Sequence, residues 1–577
     1  MNRFFVSLIL LVGVMSAFAG TSIIKFTNST LDTLHVSVQM LSQSPLSEGD
    51  YWQPLAEEIP PLETREILSF SRDSGLENNA EYEFITRVSG TNSHVLLKQK
   101  IKGTLLNSQM WLGAEGEDFA SDWQYDREIH RYETTFDGAS ATLAFKSEFT
   151  GGFDHISYIL QPDQALVADE GPNNFKILSY NVWATTVMGS KEIDARFSEL
   201  PKHFKGYDAI VFSELIDTLP SQQLLDAIRD EFPYQTAVLN SPGYLVNGGV
   251  AIVSRWPIQT EDKVIYKGVC VDIQCLASRG AVYAKINKQG NLYHVFGTHT
   301  QSYNEDEQRA VRLEQLRLMG EFVKSRQIPA DEPVLMAGDY NVNKLLYPED
   351  LAQMLINLDA VEPANEGNPY TYHGDQNHWA DAGWIEYLDY VLYSQSHLTP
   401  IASVNRVIVP RSLNEALWGK WDLSDHFALV GDFWFANHSI PAEVAFPYLG
   451  EQVRLKTDNG HFMRAMLGGN SFISAGSDKN GTWESFVIES RGNNRIALRA
   501  YDGHYVSLDS WLFGTLKADA DTVGDRETFE LVSMGGQRVA LKASNGRYLR
   551  ADFGGGAGLT ANGWGIGSWE TFTLLAQ

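Results

Sequence analysis

Residues 448–577 repeat themselves. The phrases VRLKTDNGHFMRA, IALRAYDGHYVSL and VALKASNGRYLRA begin at 453, 496 and 539, each 43 residues after the last. WESFVIES, RETFELVS and WETFTLLA follow at 483, 526 and 569 with the same offset. Every unit holds strand-like apolar alternation around an Asn/Asp-Gly or Asn-Gly turn. A unit that short cannot bury its own apolar face, so three in succession imply a threefold pseudosymmetric β fold.

The remaining chain is too long for one more core, because 577 residues exceed what a single domain packs. Arg3, an apolar run over residues 4–14 and Ala17-Phe18-Ala19 form a secretory signal peptide, residues 1–19. That run falls short of the ~20 apolar residues needed to span a bilayer. The chain is therefore expected to be secreted. Residues 20–168 alternate apolar and polar positions in segments such as LHVSVQM, EYEFITRV and HVLLKQKI. They predict an accessory antiparallel β-sandwich without a catalytic cluster. Residues 172–437 change texture: apolar runs such as FKILSYNVW, YDAIVFSEL and PVLMAGDYN alternate with helical stretches, the clearest at 305–326. This is an α/β layered domain.

A net charge of −27 repels polyanions, and no Lys/Arg cluster offsets it, so nucleic acid is not an expected partner. The two cysteines, Cys270 and Cys275, stand close enough for a local disulfide in an oxidising compartment, with free thiols the alternative.

Polar residues that can hold a metal or move a proton stand at the ends of the predicted strands of the middle domain. They are Asn181 in KILSYN, Glu214 in DAIVFSE, His299 in VFGTH, Asp339 and Asn341 in LMAGDYN, Asp389 in EYLDYVLYS, and Asp425-His426 in LSDHF. Open α/β sheets place their sites at such strand ends. Singly, each has an ordinary structural explanation.

In this order the set resembles the endonuclease/exonuclease/phosphatase superfamily, the deoxyribonuclease-like metal phosphoesterases. NGGVAIVSRWPI, FGTHTQS, GDYNVNKLLYP and DLSDHF resemble, within it, the bacterial neutral sphingomyelinase C (sphingomyelin phosphodiesterase, hemolysin) group. The C-terminal units resemble the fascin-like β-trefoil. These resemblances imply a multidomain chain of N-terminal β-sandwich, central four-layer α/β sandwich and C-terminal β-trefoil. They also imply a secreted, Mg2+-dependent phospholipase C, with Mn2+ or Co2+ as substitutes, that converts sphingomyelin to ceramide and phosphocholine. His426 would be the general base, Asp389 its partner, and His299 a donor to the phosphoryl group. Asp339 and Asn341 would position nucleophile and phosphate. Glu214 would ligate the metal, with Asn181 orienting the phosphate or water close by and Asp425 beside the base and the metal. Better-known members carry acids before the GGVAIVS phrase, where this chain has Asn247, and Asp217-Thr218 follow Glu214 where they show an acid and an amide. A second, edge metal is not expected.

A lipid substrate requires reach into a bilayer surface. Leu417, Trp418 and Trp421 precede the Asp425-His426 pair in a polar setting, NEALWGKWD, which favours an exposed membrane loop over a core position. Trp183 and Tyr340 are candidates for a cation–π contact with a choline headgroup. The expected partners are sphingomyelin at a bilayer and a cell-surface glycan or protein on the trefoil, for a monomeric enzyme. An extracellular deoxyribonuclease, an inositol-phosphate phosphatase, and an inactive fold in a surface-binding protein are the competing readings.

Overall fold

A computed structural model describes residues 20–576 apart from 42–43, 47–50, 73–75, 106–107, 151–153, 165–166, 436–451, 493–494, 510–513 and 534–537. The expected signal peptide and the junction near residue 437 lie outside the described residues. The chain forms two compact units: residues 1–165 with 374–378 and 412–421, and residues 166–373, 379–411 and 422–577.

The first unit holds two sheets. One has the order Tyr51–Pro54, Thr64–Arg72, Gly20–Asn28, Asp154–Pro162, Ala139–Phe149, His130–Phe136. The other runs Glu58–Ile59, Leu34–Met40, Glu81–Ser89, His94–Gly103, Ser108–Glu115. Alternation along His94–Gly103 turns every second side chain inward. Phe26, Phe145 and Tyr158 of one sheet share a core with Phe84, Leu97 and Ile101 of the other.

Here the structure corrects the expected membrane loop. Trp418 and Trp421 pack edge to face, centroids 4.7 Å apart, on Ala144 and Ile159. They are 9% and 4% exposed, and Leu417 is fully buried. The physical cause is a second apolar face. Leu143, Phe145, Tyr158 and Leu160 face the shared core, so Ala144 and its cross-strand partner Ile159 face the other way. The tryptophans cover that pair.

Two large sheets of the second unit build the site. The seven-stranded sheet has the order Tyr234–Gln235, Ala251–Ser254, Ala209–Leu215, Asn174–Ala184, Ala428–Trp434, Ala402–Ile408, Ala364–Gly367. The six-stranded sheet has the order Ile258–Ile265, Gly280–Lys288, Asn291–His299, Val334–Asp339, Asp389–Ser394, Ala360–Val361. Both are mixed, with parallel pairs 174–184/209–215 and 291–299/334–339. The sheets stack closely: a Cβ on Gly297 would stand 2.7 Å from Val211, and one on Gly431 2.5 Å from Val391. The predicted helix is present as Asp306–Ser325, opened by a Glu305–Gln308 capping box and burying Leu316, Met319, Phe322 and Val323. Among the described residues no helix is long and apolar enough to cross a membrane.

The repeat region forms one hydrogen-bonded network of twelve strands in which Gln452–Lys456 pairs with the last, Phe572–Ala576. Its core is built in threes at the predicted spacing: Val453, Ile496, Val539; Leu455, Leu498, Leu541; Phe486, Phe529, Phe572. Glu484, Glu527 and Glu570 each accept from the backbone of a glycine three residues earlier, at 2.8, 2.8 and 3.0 Å.

Candidate active site

The site forms where strand ends of the two stacked sheets meet. Across the six-stranded sheet, His299 is in register with Asp339, and Asp339 with Asp389. Three functional groups thus stand in a row on adjacent strands. From the other sheet, Asn181 Nδ2 donates to Asp339 Oδ2 at 3.0 Å. Glu214 lies on the parallel neighbour of the Asn181 strand, with its Oε1 3.9 Å from His299 Nε2. His426 Nδ1 meets Asp389 Oδ2 at 2.8 Å, while its Nε2 points inward, 3.8 Å from Asp339 Oδ2.

Backbone strain accompanies this convergence. Trp183, Glu214 and Asn341 have φ of 50°, 61° and 51°, in the left-handed region that costs a non-glycine residue roughly 1–2 kcal/mol. The Gly248-Gly249 pair accounts for the Glu214 bend. Leu215 N donates to Gly249 O at 2.9 Å, and a Cβ on Gly249 would sit 3.0 Å from Glu214 Cα. Asn247 braces the same bend, donating to Ile216 O at 3.0 Å and accepting from Gly249 N at 2.8 Å.

Charge is concentrated here. Burial raises the Glu214 carboxyl, opposed by His426 and Arg279. Burial and then the neighbouring Asp389 push Asp339 up to about 6. Burial pushes Asp425 up to about 7, with His426 opposing and Glu214 reinforcing. Burial alone would strip the proton from His426, but Asp389 and Asp339 overrule it and hold the imidazole well above its usual value. His299 goes the other way: burial, then Arg279 and His426, keep it neutral.

These donors fit a divalent cation. Glu214 Oε2 and Asp389 Oδ1 are buried without a hydrogen-bond partner, as are both His299 nitrogens. Unsatisfied buried carboxylate oxygen is what a hard ion ligates. Asp339, Asp389 and His426 offer ligand atoms within 4.8 Å of one another. Asp389 already bonds His426 through its Oδ2, so the free carboxylate oxygens of the cluster are Asp389 Oδ1 and Glu214 Oε2. Asp425 is held close by Ser424, whose hydroxyl donates to Asn181 O at 2.7 Å and lies 3.2 Å from Asp425 Oδ1.

All eight strand-end residues therefore converge. Asn341 takes part through its backbone, donating to Asp339 Oδ1 at 2.9 Å, while its amide donates to Thr300 O at 3.3 Å. The aromatic candidates fare differently. Tyr340 is fully buried against Tyr390 and offers no face to a ligand. The half-buried ring of Trp183 already carries the Arg196 guanidinium 5.0 Å from its centroid. Cys270 and Cys275 are bridged, with Cα atoms 5.2 Å apart.

Two arginines escaped the sequence reading. Arg196 is fully buried and donates to Val182 O, Trp183 O and Leu423 O at 2.8–3.0 Å, tying the Asn181 strand to the approach of Asp425-His426. Arg279 donates to His299 O at 3.3 Å and to Gln274 Oε1, inside the disulfide loop, at 2.9 Å. The one signal was position, since Arg279 stands immediately before the strand Gly280–Lys288 that precedes the His299 strand.

Two stacked mixed sheets, with a His–Asp pair and clustered carboxylates at one edge, define a metal-assisted phosphoesterase layout. Residues 178–426 match the endonuclease/exonuclease/phosphatase family, and residues 449–571 match a domain of unknown function, DUF7910. A sphingomyelinase C 2 of Leptospira interrogans serovar Lai is 33% identical over 324 residues, covering 50% of this chain and 51% of that protein. A sphingomyelinase C of Listeria ivanovii is 31% identical over 331 residues, covering 51% of this chain and 94% of that protein. A crystal structure of Staphylococcus aureus beta toxin is 30% identical and covers 44% of this chain and 99% of that one, with a TM-score of 0.42. The chain spans about half the Leptospira protein and nearly all of the Listeria one. It belongs to the bacterial sphingomyelinase C group of the endonuclease/exonuclease/phosphatase superfamily.

Proposed function

We propose that this chain is a phosphoric diester hydrolase of phospholipase C type that cleaves sphingomyelin to ceramide and phosphocholine. The observation that carries the reading is the 2.8 Å His426–Asp389 pair, which leaves Nε2 directed at the cluster of Asp339, His299 and Glu214. Asp389 fixes the tautomer, so that Nε2 takes a proton from water as its oxygen attacks phosphorus. His299, kept neutral, donates an N–H to a phosphoryl oxygen as negative charge grows there. Asn181 and Asp339 hold the reacting groups in line. The P–O bond to ceramide breaks, and the departing oxygen keeps the electron pair and takes a proton from solvent. Mg2+ on Glu214, with Asn181 and Asp425 beside it, would supply Lewis-acid polarisation of the phosphodiester and lower the proton affinity of His426.

Export behind a signal peptide of residues 1–19, an accessory β-sandwich at 20–168, a catalytic domain at 172–437 and a β-trefoil at 448–577 complete the reading. The trefoil would target a cell-surface glycan or protein, and the enzyme would act as a monomer.

The test incubates purified protein with sphingomyelin vesicles and, separately, plasmid DNA and inositol phosphates, each with Mg2+ or EDTA. Release of phosphocholine that EDTA abolishes is expected. Nicked DNA or freed phosphate beside intact lipid would transfer the assignment to a nuclease or phosphatase. No turnover of any substrate would leave a binding protein on an inactive fold.

A further inference from the structure

With Trp418 and Trp421 buried, some other part of the molecule must meet the lipid. Between residues 172 and 435, fourteen large hydrophobic side chains are exposed among the described residues. All but Tyr234, Ile356 and Ile401 lie in the segments that connect strands at one end of the stacked sheets, Leu219 in the first turn of the helix Thr218–Ala227 and Ile385 in the short strand Ile385–Glu386. Met188 and Leu219 follow the Asn181 and Glu214 strands. Leu346 follows the Asp339 strand, and Trp384 precedes the Asp389 strand. Leu245 and Ile273 precede the strands Ala251–Ser254 and Gly280–Lys288, whose antiparallel registers bring their N-terminal ends to the same edge. Tyr234 and Ile401 stand at the far end, beside Ser254 and Trp434. The apolar exposure is thus concentrated around the catalytic mouth.

Hydrogen bonds join these loops one to the next. Thr186 N reaches Asp217 Oδ2 at 2.8 Å, Asn247 reaches Ile216 O at 3.0 Å, and Leu245 N reaches Leu276 O at 2.9 Å. Ser302 N reaches Gln274 Oε1 at 3.1 Å, and Asn304 and Asn343 both donate to Glu386 Oε1 at 2.8 Å. The Cys270–Cys275 bridge staples the loop that carries Ile273. Apolar tips on a cross-braced frame meet an interface at low entropic cost.

We infer that this rim is the surface on which the protein seats against a zwitterionic lipid bilayer, its side chains entering the headgroup layer around the site. The inference rests on the proposed lipid substrate and names the surface that presents it. The net charge of −27 disfavours an anionic membrane or a polyanion as the occupant. Because the catalytic cluster lies inside this ring, a lipid entering it brings its bilayer against the rim.

The test compares the parent with Leu219→Ser/Leu245→Ser/Leu346→Ser and with a far-end control, Tyr234→Ser/Ile401→Ser. Co-sedimentation with phosphatidylcholine vesicles in EDTA should fall at least tenfold for the rim variant and stay within twofold for the control. Sphingomyelin turnover on vesicles should fall likewise, while turnover of a water-soluble aryl phosphocholine stays within twofold of the parent. A parent that ignores phosphatidylcholine vesicles, or prefers phosphatidylglycerol, overturns the inference. So does a rim variant that binds like the parent. If the triple variant loses its melting transition, the single Leu245→Ser carries the same comparison. Rim-dependent binding without sphingomyelin turnover would sink the substrate and leave the surface standing. Turnover that is indifferent to the rim would do the reverse.

Discussion

Asp389 and His426 are 37 residues apart in sequence and 2.8 Å apart in space. Thr371 links the two segments. Its hydroxyl accepts from Asp389 N at 3.2 Å, and its carbonyl accepts from Phe427 N at 2.8 Å. The pair is therefore held by backbone on both sides. His426→Ala should lower turnover by about 10²–10⁴-fold with melting unchanged. Asp389→Asn should come close to it, since the amide no longer selects the tautomer. Near-parental rates in His426→Ala would remove it from the base role.

Glu214→Gln keeps the side chain's shape and removes the charge. Saturating Mg2+ should raise the Tm of the parent, because a ligand at 100 Kd stabilises by about 2.7 kcal/mol. In Glu214→Gln the shift should vanish. A Tm shift that persists would move the cation to other carboxylates.

Arg279 touches His299 and Gln274 and opposes the rise of Glu214, so we expect it to position the metal-side groups. Arg279→Met should cost about 10–100-fold in kcat with KM little changed, and Arg279→Lys should recover part of it. A loss confined to KM would assign Arg279 to substrate binding instead.

Trp418→Ala opens a cavity beside Trp421, Ala144 and Ile159 and should cost roughly 3–5 kcal/mol of stability. Turnover of vesicle lipid and of a soluble ester should be affected alike. A loss specific to vesicles would return Trp418 to the membrane surface.

Asp432 provides a pH probe remote from the site. Burial pushes its carboxyl up to about 7, although Lys176 and the Asn174 amide oppose the rise. Below its ordinary value of 3.8 both folded and unfolded chains carry the proton, and no stability is at stake. Between 3.8 and about 7 the unfolded chain releases the proton while the folded one keeps it, so stability falls as pH rises. Asp432→Asn should therefore melt a few degrees above the parent at pH 8, with the gap closing towards pH 4. A gap independent of pH would refute this account.

The strand-end residues were legible because each borders an apolar run, and a polar group at that place is visible against its neighbours. The 43-residue repeat was legible because every core position recurs. Arg196 was not, because its acceptor Leu423 O lies 227 residues away and an arginine in a polar helix resembles a surface residue. The tryptophans misled because their own segment is polar. The telling pattern lies in Leu143-Ala144-Phe145 and Tyr158-Ile159-Leu160, where unbroken apolar runs mark strands covered on both faces.

The His299–Asp339–Asp389 row runs perpendicular to the strands, so its spacing is that of a β-ladder, roughly 4.7–4.9 Å per step. Chemistry thus inherits its dimensions from main-chain hydrogen bonding, and the loops beyond it inherit none. A lineage could lengthen, shorten or repaint those loops, exchanging one phosphodiester for another, without retuning the distances between His299, Asp339 and Asp389.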